Sequence, residues 1–260
     1  MKIFSTLTLF ALYFFCTASY SQPISNTSQS FEYEQGAIVR GDKHSKEIAL
    51  VFTGGSYADG LQQITSVLKK QKVKASFFFT GEFYDSYKKL IKKLVKEGHY
   101  LGAHSDKHLL YCDWAKRDSL LVSQEEFSKD LCDNYEKMRR LNISKANAKY
   151  YLPAFEWYND SISAWTKSLG LQLVNMTKGT LSHADYTTPD MKNYRSSDVI
   201  YKNILDYEKN SEFGLNGFLL LIHVGTHPDR TDKFYNKLED LVIGLKSKGY
   251  AFKKINELLD

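Results

Sequence analysis

With 260 residues, 43% of them hydrophobic and 14% aromatic, the chain can close one large α/β core or two small ones. No repeat or low-complexity run interrupts it. The formal charge of +5 comes largely from lysines spread over amphipathic segments, so solvated helix faces are expected rather than a nucleic-acid surface.

Lys2, the apolar run from Leu7 to Cys16 and the small residues of Ala18-Ser19-Tyr20-Ser21 read as a secretory signal peptide over residues 1–21. The run is too short for a membrane span. Tyr13-Phe14-Phe15 does not suit a lipidated cysteine at Cys16. An exported chain, periplasmic or extracellular, is therefore expected, with no membrane span. Its 34 basic and 30 acidic side chains leave a charge of +4. Export would permit, without requiring, a disulfide between Cys112 and Cys132. Asn-x-Ser/Thr sites begin at Asn26, Asn142, Asn159 and Asn175 and matter only in a host that glycosylates them.

Residues 22–46 are polar and read as a leader that winds onto a domain spanning 47–260. Glu47 to Thr53 is an apolar run ending in Gly54-Gly55, consistent with a buried strand. A helix is predicted over Gly60 to Gln71, a strand at Ala75 to Phe79, and a Lys-rich helix from Tyr84 to Glu97. A third short strand then runs into His104-Ser105-Asp106-Lys107-His108. The capping box Ser123-Gln124-Glu125-Glu126 opens a helix reaching about Leu141. Lys149 to Leu152 is a strand stopped by Pro153, followed by a helix from Asp160 to Ser168 and a strand from Gln172 to Asn175. Beyond the loop 176–196 come a helix from Ser197 to Lys209 and the apolar strand Phe218 to Ile222, with His223 at its end. The helix Lys233 to Lys248, a strand at Tyr250 to Lys253 and a last helix close the chain. Such alternation predicts an α/β fold with a parallel sheet closed, or nearly closed, into a barrel. Its chemistry is expected at the carboxyl ends of the strands.

His104 and His108 share one face if the backbone between them is helical, and both could then reach one cation. Alone, the pair is better explained by solvated or core-satisfied histidines than by a metal site. The strand-end segments, taken in order over residues 45–258, resemble the polysaccharide deacetylases of carbohydrate esterase family four. The resemblance implies an irregular (β/α) barrel and hydrolysis of N- or O-acetyl groups on a polysaccharide or oligosaccharide. It also implies one divalent metal held by an Asp and two His. Zn²⁺ comes first, with Ni²⁺ and Co²⁺ as alternatives, since N/O ligand sets discriminate poorly.

His104, Ser105 and His108 match the family's second motif in full. Leu221-Ile222-His223 matches the fifth, which makes His223 the general acid; the other reading is a buried, hydrogen-bonded histidine. The first motif departs. Where the family has Phe-Asp-Asp-Gly, whose first Asp is the general base and second a metal ligand, this chain has Phe52-Thr53-Gly54-Gly55 without a carboxylate. Tyr57-Ala58-Asp59-Gly60 follows, and a lengthened loop is expected to deliver Asp59 as the metal ligand; an ordinary Asp-Gly turn or helix cap is the alternative.

The third motif, Arg-x-Pro-Tyr/Phe-Gly, is replaced by Leu152-Pro153-Ala154-Phe155-Glu156. Phe155 keeps the aromatic whose N–H serves the oxyanion. Glu156 reads either as a replacement base or as a helix-start residue. Asp185-Tyr186 corresponds weakly to the fourth motif, whose Asp orients the catalytic His. Tyr111, Trp114, Trp157 and Tyr158 could stack on sugars or fill the core. No Gly-x-Ser-x-Gly elbow supports a serine hydrolase. The missing base leaves a second reading open: a weak or inactive carbohydrate-binding protein on the same scaffold.

Overall fold

A computed structural model describes residues 31–260; the expected signal peptide lies outside the described residues. The chain begins with a hairpin, β1 (Glu32–Glu34) and β2 (Ala37–Arg40), turning at Gln35 and Gly36, whose φ values are 46° and 75°. Alternating elements follow: β3 (Glu47–Gly54), α1 (Leu61–Lys70), β4 (Ser76–Phe79), α2 (Gly81–Ser86), α3 (Lys88–Lys96), β5 (Tyr100–Ala103), α4 (Gln124–Arg139) and β6 (Tyr150–Tyr151). The second half holds α5 (Asp160–Ser168), β7 (Gln172–Leu173), α6 (Ser197–Asn210), β8 (Phe218–His223), α7 (Leu238–Ser247), β9 (Ala251–Lys253) and α8 (Ile255–Leu258).

The sheet order is β1-β2-β8-β3-β4-β5-β6-β7, with β9 on the first residues of β3. Pairing is parallel except at β1–β2 and β2–β8. A bridge between Ile38 and Val174 joins the two ends, and Asn175 N–H donates to Ile38 O at 3.0 Å. The result is the irregular barrel expected, with one difference. Residues 31–40 of the polar leader are part of its wall, because the hairpin supplies the strand that closes it.

Alternation along the strands sorts the side chains. Ile48, Leu50 and Phe52 face the helices, whereas Ala49 and Val51 join Leu219 and Leu221 of β8 and Phe78 and Tyr100 in a second cluster that fills the lumen. Continuing that parity, Thr53 and His223, paired in register, both point into the barrel's mouth. Gly54 falls on the other face. A Cβ built there would stand 2.6 Å from Val224 Cγ2 and 2.9 Å from the rings of Phe79 and Phe83.

Two of the expected long helices are broken. Thr80 caps α2, its hydroxyl accepting from Phe83 N, and the backbone leaves helical geometry at Tyr87 before α3 begins. A tight turn over Phe234–Lys237 precedes α7. The Ser123–Glu126 capping box and the Asn159 cap of α5 form. Cys112 is buried and Cys132 exposed; both are free thiols. Among the described residues no helix is long and apolar enough to cross a membrane.

The His104–His108 segment is not helical. Ser105 and His108 have φ values of 69° and 53°, and the loop is held from α4. Buried Asp130 accepts from Ser105 Oγ (2.7 Å), Asp106 N (3.0 Å), Lys107 N (3.0 Å) and Tyr111 OH (2.6 Å). Asn134, one helical turn on, accepts from His104 N at 3.0 Å.

Two outcomes follow for stability. Asp130→Asn removes an acceptor serving four donors and should cost at least about 2 kcal/mol in denaturant unfolding, since hydrogen bonds to charged groups contribute about 1.5–3 kcal/mol each. Gly54→Ala should cost about 1–3 kcal/mol by overpacking; an unchanged midpoint would mean that Val224 and Phe79 yield freely.

Candidate active site

The mouth of the barrel opens into a cleft of about 1410 Å³, lined by His108, Phe155, Glu156, His183, Tyr186 and His223 among others. His223 arrives at the end of β8. Its Nδ1–H donates to Asp185 Oδ1 at 2.6 Å and its backbone N–H to Asp185 Oδ2 at 2.9 Å. Asp185 is buried on the tight turn Ser182–Tyr186, within the expected loop. Burial disfavours the imidazolium of His223, but the charge and hydrogen bond of Asp185 outweigh it and hold the group above its ordinary value. One tautomer is thereby favoured, leaving Nε2 for the cleft. Thr53 Oγ1, on the strand beside His223, is buried without a partner among the described residues.

Across the mouth, His104 is buried under the cleft floor. Its Nδ1 lies 2.9 Å from Leu152 O, and a carbonyl only accepts, so the proton is on Nδ1 and Nε2 carries a lone pair. The His108 ring lies 5.2 Å from that of His104 and 4.3 Å from Phe155. Desolvation, then the charge of the neighbouring histidine, holds His104 well below its usual value; desolvation and His223 bring His108 to about 4. Both are neutral near pH 7, the form that binds metals.

Phe155 and Glu156 follow Pro153 in a tight turn, with φ values of 59° and 52°. Two successive non-glycine residues in the left-handed region are costly, and such strain is held only by its surroundings. Here Glu156 N–H donates to Pro153 O at 3.1 Å and Asn175 Nδ2 donates to Glu156 O at 2.8 Å. Phe155 N–H has no backbone acceptor among the described residues. The Glu156 side chain is 12% exposed, and its Oε1 stands 3.9 Å from His104 Nε2. Desolvation pushes its carboxyl up to about 7, against the pull of His223. It starts no α-helix, since it ends the tight turn and α5 begins at Asp160.

Asp59 requires a correction. The lengthened loop carries it away from the histidines, to an exposed position where Thr226 N (3.0 Å), Tyr235 OH (2.9 Å) and Lys233 Nζ (3.1 Å) hold its carboxylate. Those contacts keep it ionised below its usual range despite partial burial. Ammonium, hydroxyl and amide already satisfy it. Among the described residues no three His, Cys, Asp or Glu side chains stand together as a finished metal site. The Asp59–His104–His108 set therefore does not fit a metal ion.

The aromatic residues divide. Tyr111 and Tyr158 are fully buried, whereas Trp114 is 56% exposed and stands beside Phe155 and Trp157 at the cleft, with ring distances of 5.7 and 5.4 Å. Three residues of the site and its support escaped the sequence reading. His183 lines the cleft next to the dyad and lies in a loop without a pattern. Asp130 and Asn134 left a trace, since they are polar positions on the apolar stripe Phe127, Leu131, Tyr135, Met138 of α4.

Known proteins resemble this chain in sequence and in fold. A 30.6 kDa uncharacterised protein of Geobacillus stearothermophilus is 28% identical over 224 residues, and the peptidoglycan-N-acetylmuramic acid deacetylase PdaA of Bacillus subtilis is 25% identical over 223. Each alignment covers 86% of this chain and 75% of the relative. Among solved structures, a CE4 family pseudoenzyme from Bacillus anthracis superposes with a TM-score of 0.68 at 19% identity, over 88% of this chain and 70% of that one. A mutant of it with restored enzymatic activity gives the same TM-score at 20% identity, over 88% and 72% of the two chains. The sequence profile of the polysaccharide deacetylase family matches residues 40–174, just over half of the chain, and the chain belongs to that family.

Proposed function

We propose that this protein is an exported hydrolase that removes N- or O-acetyl groups from a glycan. The observation that carries the reading is the His223–Asp185 pair at the cleft that Glu156 and Phe155 also line, the Phe155 N–H having no backbone acceptor among the described residues. Relatives named as peptidoglycan deacetylases support the substrate class, and the apolar run Leu7 to Cys16 supports export.

In the reaction, water adds to the acetyl carbonyl and the carbonyl oxygen gains negative charge. Phe155 N–H donates to that oxygen, an electrostatic contribution made without reorganisation because the turn already fixes its direction. As the tetrahedral species collapses, the bond to the sugar nitrogen or oxygen breaks, and protonated His223 passes its Nε2 proton to the leaving atom. Asp185 steadies the imidazolium throughout. Glu156 supplies the negative charge that the first strand no longer carries and serves to activate the water. Asp106 and Asp185 are not free for that task, being held by Lys137 at 2.9 Å and by His223. Trp114 and Trp157 offer an apolar wall for sugar rings.

A second reading is favoured by one observation, the absence of a carboxylate at the end of β3: a carbohydrate-binding protein that keeps the cleft but turns over slowly or not at all. Loss of a positioned base costs about 10²–10⁴-fold in rate. Acetate release from a panel of acetylated glycans separates the two. The hydrolase reading expects release by the wild type and a fall of about 10²–10⁴-fold in His223→Ala. Binding without any release establishes the second reading instead.

The pH profile tests the dyad. The acid must be protonated, so kcat/KM should fall as pH rises through the raised value of His223. In Asp185→Asn the carboxylate that raises it is gone, and this alkaline limb should move to lower pH. A limb that stays in place would remove Asp185 from the mechanism.

A further inference from the structure

We propose that the Trp114 end of the cleft is a carboxylate-recognition subsite, so that the glycan this protein takes carries a carboxylate, on the sugar itself or on a chain attached to it. This rests on the hydrolase reading only for where the reacting sugar lies. The first observation is an excess of fixed positive charge. Arg117 and Lys178 both line the cleft, and both turn to one carboxylate oxygen, Glu34 Oε1, at 2.9 and 2.6 Å. Burial would raise the Glu34 carboxyl, but hydrogen bonds from Lys178 and Arg117 outweigh it and keep it ionised below its usual range. Two cations thus share one anion, and no other acidic side chain among the described residues pairs with either. The Lys178 side chain is 61% exposed, and Glu34 occupies only one of the three N–H donors of its ammonium.

The second is the polarity of the cleft. Where it runs over α2 and α4 the sign of the excess reverses: Glu82, Asp85 and Asp106 line it against Lys107 and Lys137, and Lys137 bridges Asp85 and Asp106 at 3.5 and 2.9 Å. Complementary charge sets the register of a ligand more than its raw affinity. A glycan with an anionic substituent is therefore seated with that substituent towards Arg117 and Lys178, and the reverse placement is repelled.

The third is preorganisation. Arg117 Nε donates to Tyr158 O at 2.6 Å, its guanidinium lies 4.5 Å from the centroid of the Trp157 ring, and Asn159 Nδ2 donates to its carbonyl at 2.9 Å. Trp157 Nε1 holds the same loop through Asp113 O at 3.2 Å. Lys178 follows Thr177, whose hydroxyl donates to Val39 O and accepts from Leu219 N. A guanidinium fixed in this way loses little freedom when an anion arrives. Beside it, the largely exposed Trp114 presents a flat surface for a sugar ring. Its ring stands 5.7 Å from that of Phe155, so the charged end adjoins the reaction centre.

The test is binding measured by calorimetry, with acetate release followed in parallel. The probes are a tetrasaccharide of N-acetylglucosamine bearing an O-lactyl carboxylate on alternate sugars, the methyl ester of that acid, and the same acid with a short peptide amide-linked to the lactyl group. Wild type should bind the acid at least about 10-fold more tightly than the ester (about 1.4 kcal/mol), and added salt should shrink that ratio. Lys178→Gln, an exposed change that the fold tolerates, should lower the acid-over-ester ratio at least about 3-fold. Glu34→Gln releases both cations and should widen the ratio, whereas loss of a merely structural ion pair would weaken all probes alike. The peptide-bearing probe identifies the carrier: binding like the free acid assigns the carboxylate to the attached chain, binding like the ester to the sugar. Equal binding of acid and ester by wild type overturns the subsite, as does an unchanged ratio in Lys178→Gln or one that fails to widen in Glu34→Gln. Preference for the acid with no acetate released would uphold the subsite and reject the hydrolase reading alone; acetate release without preference would do the opposite.

Discussion

The buried carboxylate of Asp130 is the contact on which the rest of the mouth depends. A loop with two non-glycine residues at positive φ cannot hold itself, because its backbone N–H groups have no ladder or helix to join. Asp130 gathers two of those N–H groups and two hydroxyls from beneath, and Asn134 takes a third N–H, so the loop is a graft on α4. The closeness of His104 and His108 is a product of that graft. A helical turn would have placed them on one face by periodicity alone; here the side chain of Asp130, further along the chain on α4, does so by hydrogen bonding.

Above that floor, burial gives similar groups different fates. Asp185 and Glu156 are both carboxylates at the mouth, yet Asp185 is tied to His223 through two hydrogen bonds while Glu156 has, among the described residues, only the distant Nε2 of His104. The histidines divide in the same way. His223 is drawn towards its cationic form by Asp185, and His104 and His108 are driven to neutrality by desolvation. One imidazole suited to donating a proton and two suited to offering lone pairs thus arise on one surface, set by which of them meets a carboxylate.

Much of this was legible in the sequence. Apolar runs ending in Gly-Gly, Thr-Gly or His placed the strands and pointed the chemistry to their ends, because a buried parallel strand has a strong composition signal. His104, His108, Phe155, Glu156, Asp185 and His223 do converge on one mouth. Asp59 does not, because a carboxylate's position along the chain says nothing about the cation waiting for it, and Lys233 lies 174 residues downstream. The closing hairpin was hidden for a related reason: β1 and β2 are only three and four residues long within a polar stretch, and only their tertiary partner makes them a wall. Asp130 could have been suspected from its place on an apolar helix face, but its four partners could not.

The filled space beside Gly54 also limits which side chains that position can take. Val224 Cγ2 and the rings of Phe79 and Phe83 crowd it on the apolar side of the sheet. An aspartate there would push a charged group into hydrocarbon packing, at a cost that only a cation or hydrogen-bond donors could offset. A carboxylate at this mouth is therefore carried more easily on the rim, and the strained turn after β6 is a place where one stands.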